Sequence, residues 1–138
     1  MQIDFVKNGE EFEIPTISVE SDMQMTIDLL KLQIKTGKEV AKDLGVDYKE
    51  MQKEKIRSMT EPNYIQSDDA KNYNSILAIQ LNLDTVYYVL SRIDHTVSRE
   101  KVSRLGGTKI AELIMQIFPV EKTGDFPKAA EMKTTAIN

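Results

Sequence analysis

The feature that most constrains the fold is a long run of apolar residues that recur every three or four positions. This seam contains Ile76, Ile79, Leu83, Val86, Leu90, Ile93 and Val97. Such spacing matches one face of an α-helix. Ser67 is suited to cap its N-terminus, and Asp68 and Asp69 suit the positive end of the helix dipole. The pattern predicts the longest helix of the chain, which is either central to the fold or shared with a partner.

An earlier segment shows the same periodicity and predicts a second long helix. Ser21 and Gln24 have the spacing of a capping box. The stripe that follows consists of Met23, Ile27, Leu30 and Ile34, and Met25, Leu29 and Leu32 widen it. Gly37 is a candidate C-terminal stop. Because an apolar stripe normally faces the core, we expect this helix to be substantially buried.

Shorter helical segments fill the rest of the body. Glu39 to Leu44 is a short candidate that ends at Gly45, and Asp47 with Glu50 predicts the cap of a helix that reaches Met59. Nearer the C-terminus, Ser98 is expected to cap a short segment that Gly106 and Gly107 interrupt, and Thr108 a last helix that ends before Pro119. The predicted fold is therefore mainly α, with four to five helices in a bundle-like body.

The N-terminal segment predicts a β-hairpin over residues 2–14. Asn8-Gly9 is a strong two-residue turn signal between short alternating segments. With those residues at the tip, Phe5 would face Phe12 and Ile3 would face Ile14. Because an isolated hairpin is marginal in water, its apolar face is expected to pack on helices or on another subunit.

The length of 138 residues, with 41% hydrophobic and 29% charged residues, is that of one ordinary domain. We expect a single domain over residues 1–118, with the hairpin at 2–14 and the helical body at 21–118. Residues 119–138 show no sustained periodicity and contain Gly124 and Pro127. That composition predicts a flexible tail.

Composition also excludes several classes of function. The chain has no cysteine, which excludes disulfides and thiolate chemistry and favours a reducing cytoplasm. Its net charge of -4 argues against nucleic acid as a partner. The apolar runs are far shorter than the roughly 20 residues of a membrane span, and the N-terminus lacks the pattern of a secretory signal.

No motif specifies an active site. His95 is the only histidine, and its neighbours Asp94 and Thr96 would have to converge in space to act as a catalytic set. Gly106-Gly107 lacks the order of a phosphate-binding loop, and Asp68 with Asp69 lacks the spacing of a calcium site. Carboxylates are common, and nothing selects a pair for acid–base catalysis. We therefore expect no enzyme activity, no cofactor and no metal site.

What remains is apolar helical surface together with seven methionines, which adapt to irregular apolar partners. Such surface is suited to contacts between helices of different chains. The residues predicted to bind a partner are Leu83, Val86, Leu90, Leu113, Ile117 and Phe118.

Taken together, the leading segment Ile3 to Ile14, the helical body from Ser21 to Phe118 and the lysine-containing tail resemble the tail assembly chaperones of long-tailed bacteriophages. The resemblance is one of size and layout and includes no diagnostic motif. It implies a non-enzymatic protein of the host cytoplasm, absent from the mature virion, that self-associates and coats the tape measure protein before the tail tube polymerises. An alternative is a small helical regulator or adaptor that dimerises through Ile76 to Val97 and binds a host protein.

Overall fold

The structure, a computed structural model, describes residues 1–119. Within these residues the chain is mainly helical, as predicted, and contains five α-helices and no strand. The helices are α1 (Met23–Leu44), α2 (Tyr48–Thr60), α3 (Asp68–Ile93), α4 (Arg99–Ser103) and α5 (Gly107–Ile117). The predicted flexible tail, 119–138, lies outside the described residues except for Pro119.

The chain forms two compact units, and the continuous helices α1 and α3 contribute residues to both. Among the described residues, the first unit comprises Met1–Leu30 and residues 82–119, and the second comprises Lys31–Leu81. In the second unit, a core cluster joins α1, α2 and α3. Its buried members are Val40, Ala41, Met51, Ala70 and Tyr73, with Val46, Tyr48 and Leu77 packed against them.

The predicted hairpin over residues 2–14 is wrong. Lys7–Gly9 instead form one left-handed turn, with φ of 49° at Lys7, 57° at Asn8 and 80° at Gly9. The Asn-Gly pair indicated left-handed backbone correctly, but the flanking segments do not pair as strands. The Phe12 N–H donates to the Met1 carbonyl at 3.0 Å instead of the chain pairing Phe5 with Phe12.

The burial pattern supplies the reason. Ile3, Val6, Phe12 and Ile17 are all buried, and their spacing does not alternate as a strand requires. A two-stranded hairpin alone is marginally stable, so packing these side chains into the unit outweighs a short ladder of strand hydrogen bonds. The segment is also tied to α5, because the Ile17 N–H donates to the Ile117 carbonyl at 3.0 Å.

Asp94 holds the left-handed turn in place. Its Oδ2 accepts a hydrogen bond from the Lys7 N–H at 2.8 Å. Its Oδ1 accepts from the Thr96 N–H at 3.0 Å and from the Thr96 hydroxyl at 2.7 Å. The Thr96 hydroxyl, the Lys7 N–H and the Thr96 N–H together lower the pKa of Asp94 to about 2, because all three stabilise the charged form.

Helix α1 differs from the prediction at both ends. Its cap is Asp22, whose Oδ1 accepts from the Met25 N–H at 2.9 Å, whereas the Ser21 hydroxyl bonds within the preceding turn. The helix continues through Gly37 and ends before Gly45, where φ is +70°. The glycine predicted to stop the helix is therefore an interior residue, and the following glycine forms the left-handed end.

Close packing explains a glycine at position 37. A Cβ added there would lie 3.1 Å from Cε1 of Tyr48 and 3.1 Å from the hydroxyl oxygen of Tyr73. The Tyr73 hydroxyl donates to the Gly37 carbonyl at 3.0 Å, so the buried phenol is satisfied by helix backbone. Gly37 thus lets two tyrosine rings approach α1 closely.

Three of the predicted caps are confirmed. The side chain of Asp47 accepts from the Glu50 N–H, that of Ser67 from the Ala70 N–H, and that of Ser98 from the Lys101 N–H. The predicted longest helix is also confirmed, since α3 has 26 residues. The cap predicted at Thr108 is wrong, because α5 begins at Gly107 after Gly106 adopts φ of 86°. A glycine can take that conformation without a Cβ clash.

The contacts of Asp94 predict that the free energy of unfolding decreases in acid. Because its folded pKa is lowered, the carboxylate stabilises the fold above its unfolded pKa, and this contribution disappears as pH falls from about 4 to about 2. Asp94→Asn should therefore lower the free energy of unfolding at about pH 6, and the difference from wild type should vanish near pH 2. Urea denaturation across this range measures it. Asp4→Asn, at an exposed site, serves as the control, and a difference independent of pH would contradict the assignment.

The packing at Gly37 predicts that Gly37→Ala destabilises the protein despite the better helix propensity of alanine. Displacing the two rings should cost about 1–3 kcal/mol, whereas alanine gains only about 1 kcal/mol in a helix. Urea denaturation should show a net loss. The matched control is Gly107→Ala in α5, where a Cβ meets nothing within 4 Å and no loss is expected. Equal effects of the two substitutions would show that close packing is not the reason for Gly37.

Candidate protein-interaction surface

Four residues of the apolar stripe predicted on α1 face outward, contrary to the expectation that the helix is substantially buried. Met23, Ile27, Leu30 and Ile34 are 61%, 38%, 46% and 52% exposed. They follow one another at spacings of four, three and four residues along a single uninterrupted helix. That spacing is the narrow seam typical of helices that pair with another helix. We call these four residues the α1 stripe.

The opposite face of α1 is the one that packs inside the protein. Thr26, Leu29 and Thr36 are buried, with 3%, 1% and 3% of their surface exposed. The Thr26 hydroxyl donates to the Asp22 carbonyl at 2.9 Å, so its burial leaves no unsatisfied donor. Of the predicted stripe, Leu29 is therefore buried as expected, whereas the two buried threonines were not predicted to face the core.

A row of lysines borders the α1 stripe. Lys31, Lys35, Lys38 and Lys42 repeat the same spacing of four, three and four residues, and all four are exposed. Lys31 follows Ile27 by four residues and Lys38 follows Ile34 by four, so the two rows are neighbours on the helix surface. Within residues 1–119, none of these amines lies within 4.0 Å of a carboxylate. The four amines of this lysine row therefore form no ion pair within residues 1–119.

Four of the six residues predicted to bind a partner lie in the interior. Val86, Leu90, Leu113 and Ile117 are each at most 1% exposed, while Leu83 and Phe118 are partly buried. In this conformation the four buried residues stabilise the first unit. Partner binding by the six stays a prediction, and for the buried four it requires the unit to open.

Further apolar side chains are exposed in the second unit. On α3 these are Ile76 and Ile79, and at the end of α2 they are Ile56 and Met59; Ile65 follows in the connecting loop. The two α3 residues begin the predicted seam, whose later members Val86 and Leu90 are buried. The seam predicted as one face is therefore divided between surface and core.

One polar cleft of about 320 Å³ lies where α2 meets the loop before α3. Its central group is Glu54, whose Oε1 accepts from the Tyr64 hydroxyl at 2.7 Å and from the Ser67 N–H at 2.9 Å. The Ser67 hydroxyl donates to Oε2 at 2.6 Å. These bonds, those from Ser67 foremost, lower the pKa of Glu54, which makes it a weak general base. The carboxylate joins α2 to the start of α3 and is poorly suited to acid–base catalysis.

The other candidates for chemistry do not assemble into a site. The Asp94 carboxylate is occupied by Lys7 and Thr96, and His95 beside it is exposed. Asp68 and Asp69 lie in the first turn of α3. Among residues 1–119, no three acidic or histidine side chains are grouped as a metal site would require.

In the same described range, the helices are too short or too polar for any of them to cross a membrane. Comparisons with protein-family models, with curated proteins and with solved structures found no match.

Two adjacent leucines test the orientation of α1. Leu29→Ala should lower the free energy of unfolding by about 2–5 kcal/mol, because Leu29 is 1% exposed and its truncation leaves a cavity. Leu30→Ala should change it by about 0.5 kcal/mol or less, because Leu30 is 46% exposed. Both substitutions remove the same atoms from adjacent residues of one helix. Urea denaturation measures the free energy of unfolding of both variants. Comparable losses would mean that α1 is rotated or that the stripe is covered in solution.

Proposed function

We propose that this protein is a non-enzymatic binding protein for amphipathic helices of other proteins. More specifically, we propose that it acts as a phage tail assembly chaperone that coats the tape measure protein in the host cytoplasm before the tail tube polymerises. The observation that carries the proposal is the outward-facing α1 stripe. A helix that buries Leu29 on one face and still exposes a second apolar row offers that row to a partner.

Burial energetics support this function. Complete burial of a Leu, Ile or Met side chain contributes about 1.5–3 kcal/mol relative to exposure. Four partly exposed side chains in one row therefore offer several kcal/mol to a partner that covers them, before the cost of association. A tape measure chain with long apolar stripes would aggregate unless these stripes were covered during assembly. Contact with the α1 stripe would cover the apolar surfaces of both proteins.

The family assignment is supported by size and helical layout. The hairpin that formed part of the likeness is absent from residues 1–119, so the likeness depends on the helical body. The α1 stripe supplies an accessible surface for the proposed partner. Leu83 and Phe118, which are partly exposed, are the residues of the predicted partner-binding set that a partner can reach without opening the first unit.

The alternative function, a dimeric adaptor that uses the seam from Ile76 to Val97, is favoured by the exposure of Ile76 and Ile79. Burial of Val86, Leu90 and Val97 limits that seam to its N-terminal part. An adaptor of this kind would bind one host protein at fixed stoichiometry instead of coating a long helix.

Co-expression with a phage tape measure protein tests the chaperone function. The wild-type chain should bring the tape measure protein into the supernatant as a complex that size exclusion with light scattering resolves. The double variant Ile27→Ser and Leu30→Ser should lose this complex but keep its helicity, because both side chains lie on the exposed face.

The matched control is Ile56→Ser with Met59→Ser, a pair on α2 that is more exposed, at 60% and 71%, and that should retain the complex. Loss of the complex in both double variants would show that general surface apolarity, and not the α1 stripe, is responsible. A tape measure protein that stays insoluble with the wild type, together with a clean dimer that Ile79→Ser disrupts, would favour the adaptor.

A further inference from the structure

We propose that the partner helix carries an acidic row beside its apolar seam, and that the lysine row of α1 selects it. This inference deepens the proposed function and rests on it, because it specifies the chemistry of the helix that docks on the α1 stripe. Its basis is a juxtaposition within one helix: Met23, Ile27, Leu30 and Ile34 form the apolar row, and Lys31, Lys35, Lys38 and Lys42 form the basic row next to it.

The two flanks of the α1 stripe are not equivalent. On one flank lie the four exposed lysines, whose amines lie more than 4.0 Å from every carboxylate within residues 1–119. The other flank carries no charge, since Gln33 is half-buried there and Thr26 is packed inside the protein. A docked helix would therefore meet positive charge along one side only. Complementary charge at such flanking positions sets partner choice and orientation in paired helices.

The lysine row is also unusual for this chain as a whole. The net charge is -4, whereas this row places four exposed lysines on successive turns of one helix and is a local basic strip. Attraction confined to one strip steers an acidic partner to the α1 stripe and away from other faces. Lys38 lies 5.8 Å from the ring centroid of Tyr48, a contact that leaves the amine exposed.

A second copy of the chain fits this surface less well. In an antiparallel symmetric pair of α1 helices the two lysine rows would lie on the same side and repel each other. In a parallel pair each lysine row would face the uncharged flank that contains Gln33. Neither arrangement provides a row of acids for the lysines, so a different helix with acidic residues is the better complement.

An anionic membrane is also a poorer fit than a helix. Helices that lie in a membrane interface present a broad apolar face, commonly with Trp or Phe. The α1 stripe is a narrow row and contains no aromatic residue. Its spacing is that of a helix-pairing seam.

The test uses the full-length protein and two labelled synthetic helices of about 18 residues, or five turns. Both peptides share one apolar seam at spacings of three and four; one carries Glu at the flanking positions and the other carries Lys. Fluorescence anisotropy at low salt should show at least about tenfold tighter binding of the Glu peptide. Raising the salt to about 0.5 M should remove most of this preference, because exposed charges are then screened.

A charge-reversal variant sharpens the test. Lys31→Glu, Lys35→Glu and Lys38→Glu in one chain should reverse the preference, so that the Lys peptide binds more tightly than the Glu peptide. The comparison of two peptides on the wild-type protein stands even if this variant fails to fold. A matched variant, Lys49→Glu with Lys53→Glu on α2, should leave the preference for the Glu peptide unchanged, since both lysines are exposed on another helix.

Equal affinity for both peptides would overturn the charge selection while leaving the helix-binding function in place. Absence of binding by either peptide would overturn both. Binding to vesicles of phosphatidylglycerol and phosphatidylcholine without binding to the Glu peptide would assign the surface to membranes. A dimer of the protein alone that Leu30→Ser dissociates, without peptide binding, would assign the surface to a second copy.

Discussion

The rest of the structure depends on which face of α1 is buried. A helix of this length that contacts the protein along one side can bury only one face. In α1 that face contains Thr26, Leu29 and Gly37. Two tyrosines of α3 fix it: the Tyr88 hydroxyl donates to Asp28 in the first unit, and the Tyr73 hydroxyl donates to Gly37 in the second. With these bonds made, the apolar row on the other side has no place in the core.

Two carboxylates hold segments of the chain that have no regular secondary structure. Asp94 binds the left-handed turn at Lys7, and Glu54 binds the loop before α3 through Tyr64 and Ser67. In both cases an ionised oxygen accepts from backbone and hydroxyl donors, an arrangement stronger than neutral hydrogen bonds. The same hydrogen bonds lower the pKa of both carboxyl groups, which makes them weak general bases. Both carboxylates therefore stabilise irregular segments of the chain.

The exposed apolar row and the exposed lysines of α1 are both unfavourable in the isolated chain, and the fold alone does not explain them. Four large apolar side chains along one helix promote association, and a row of like charges on neighbouring turns is mutually repulsive. Both features are compensated if an amphipathic helix with acidic residues covers them. The proposed function thus accounts for two properties of α1 that are unfavourable in the isolated chain.

Helix boundaries and caps are mostly local properties, which is why Asp47, Ser67 and Ser98 were identified from sequence together with the length of α3. Local rules also indicated the left-handed backbone at Asn8 and Gly9. They could not indicate that the flanking residues pack into a unit instead of pairing as strands. Whether this segment pairs as strands or buries its side chains depends on the surfaces that the rest of the chain presents to it.

The candidate interaction surface likewise depends partly on local sequence and partly on the tertiary fold. The sequence by itself determined that α1 carries an apolar row at helical spacing. Only the tertiary structure decided that this row faces solvent while Val86, Leu90, Leu113 and Ile117 face the core. The physical reason is that periodicity specifies which residues share a face, whereas packing specifies where that face points. Thr26, whose hydroxyl is satisfied by its own helix, and Gly37, which admits two tyrosine rings, let α1 bury the face that also carries Leu29.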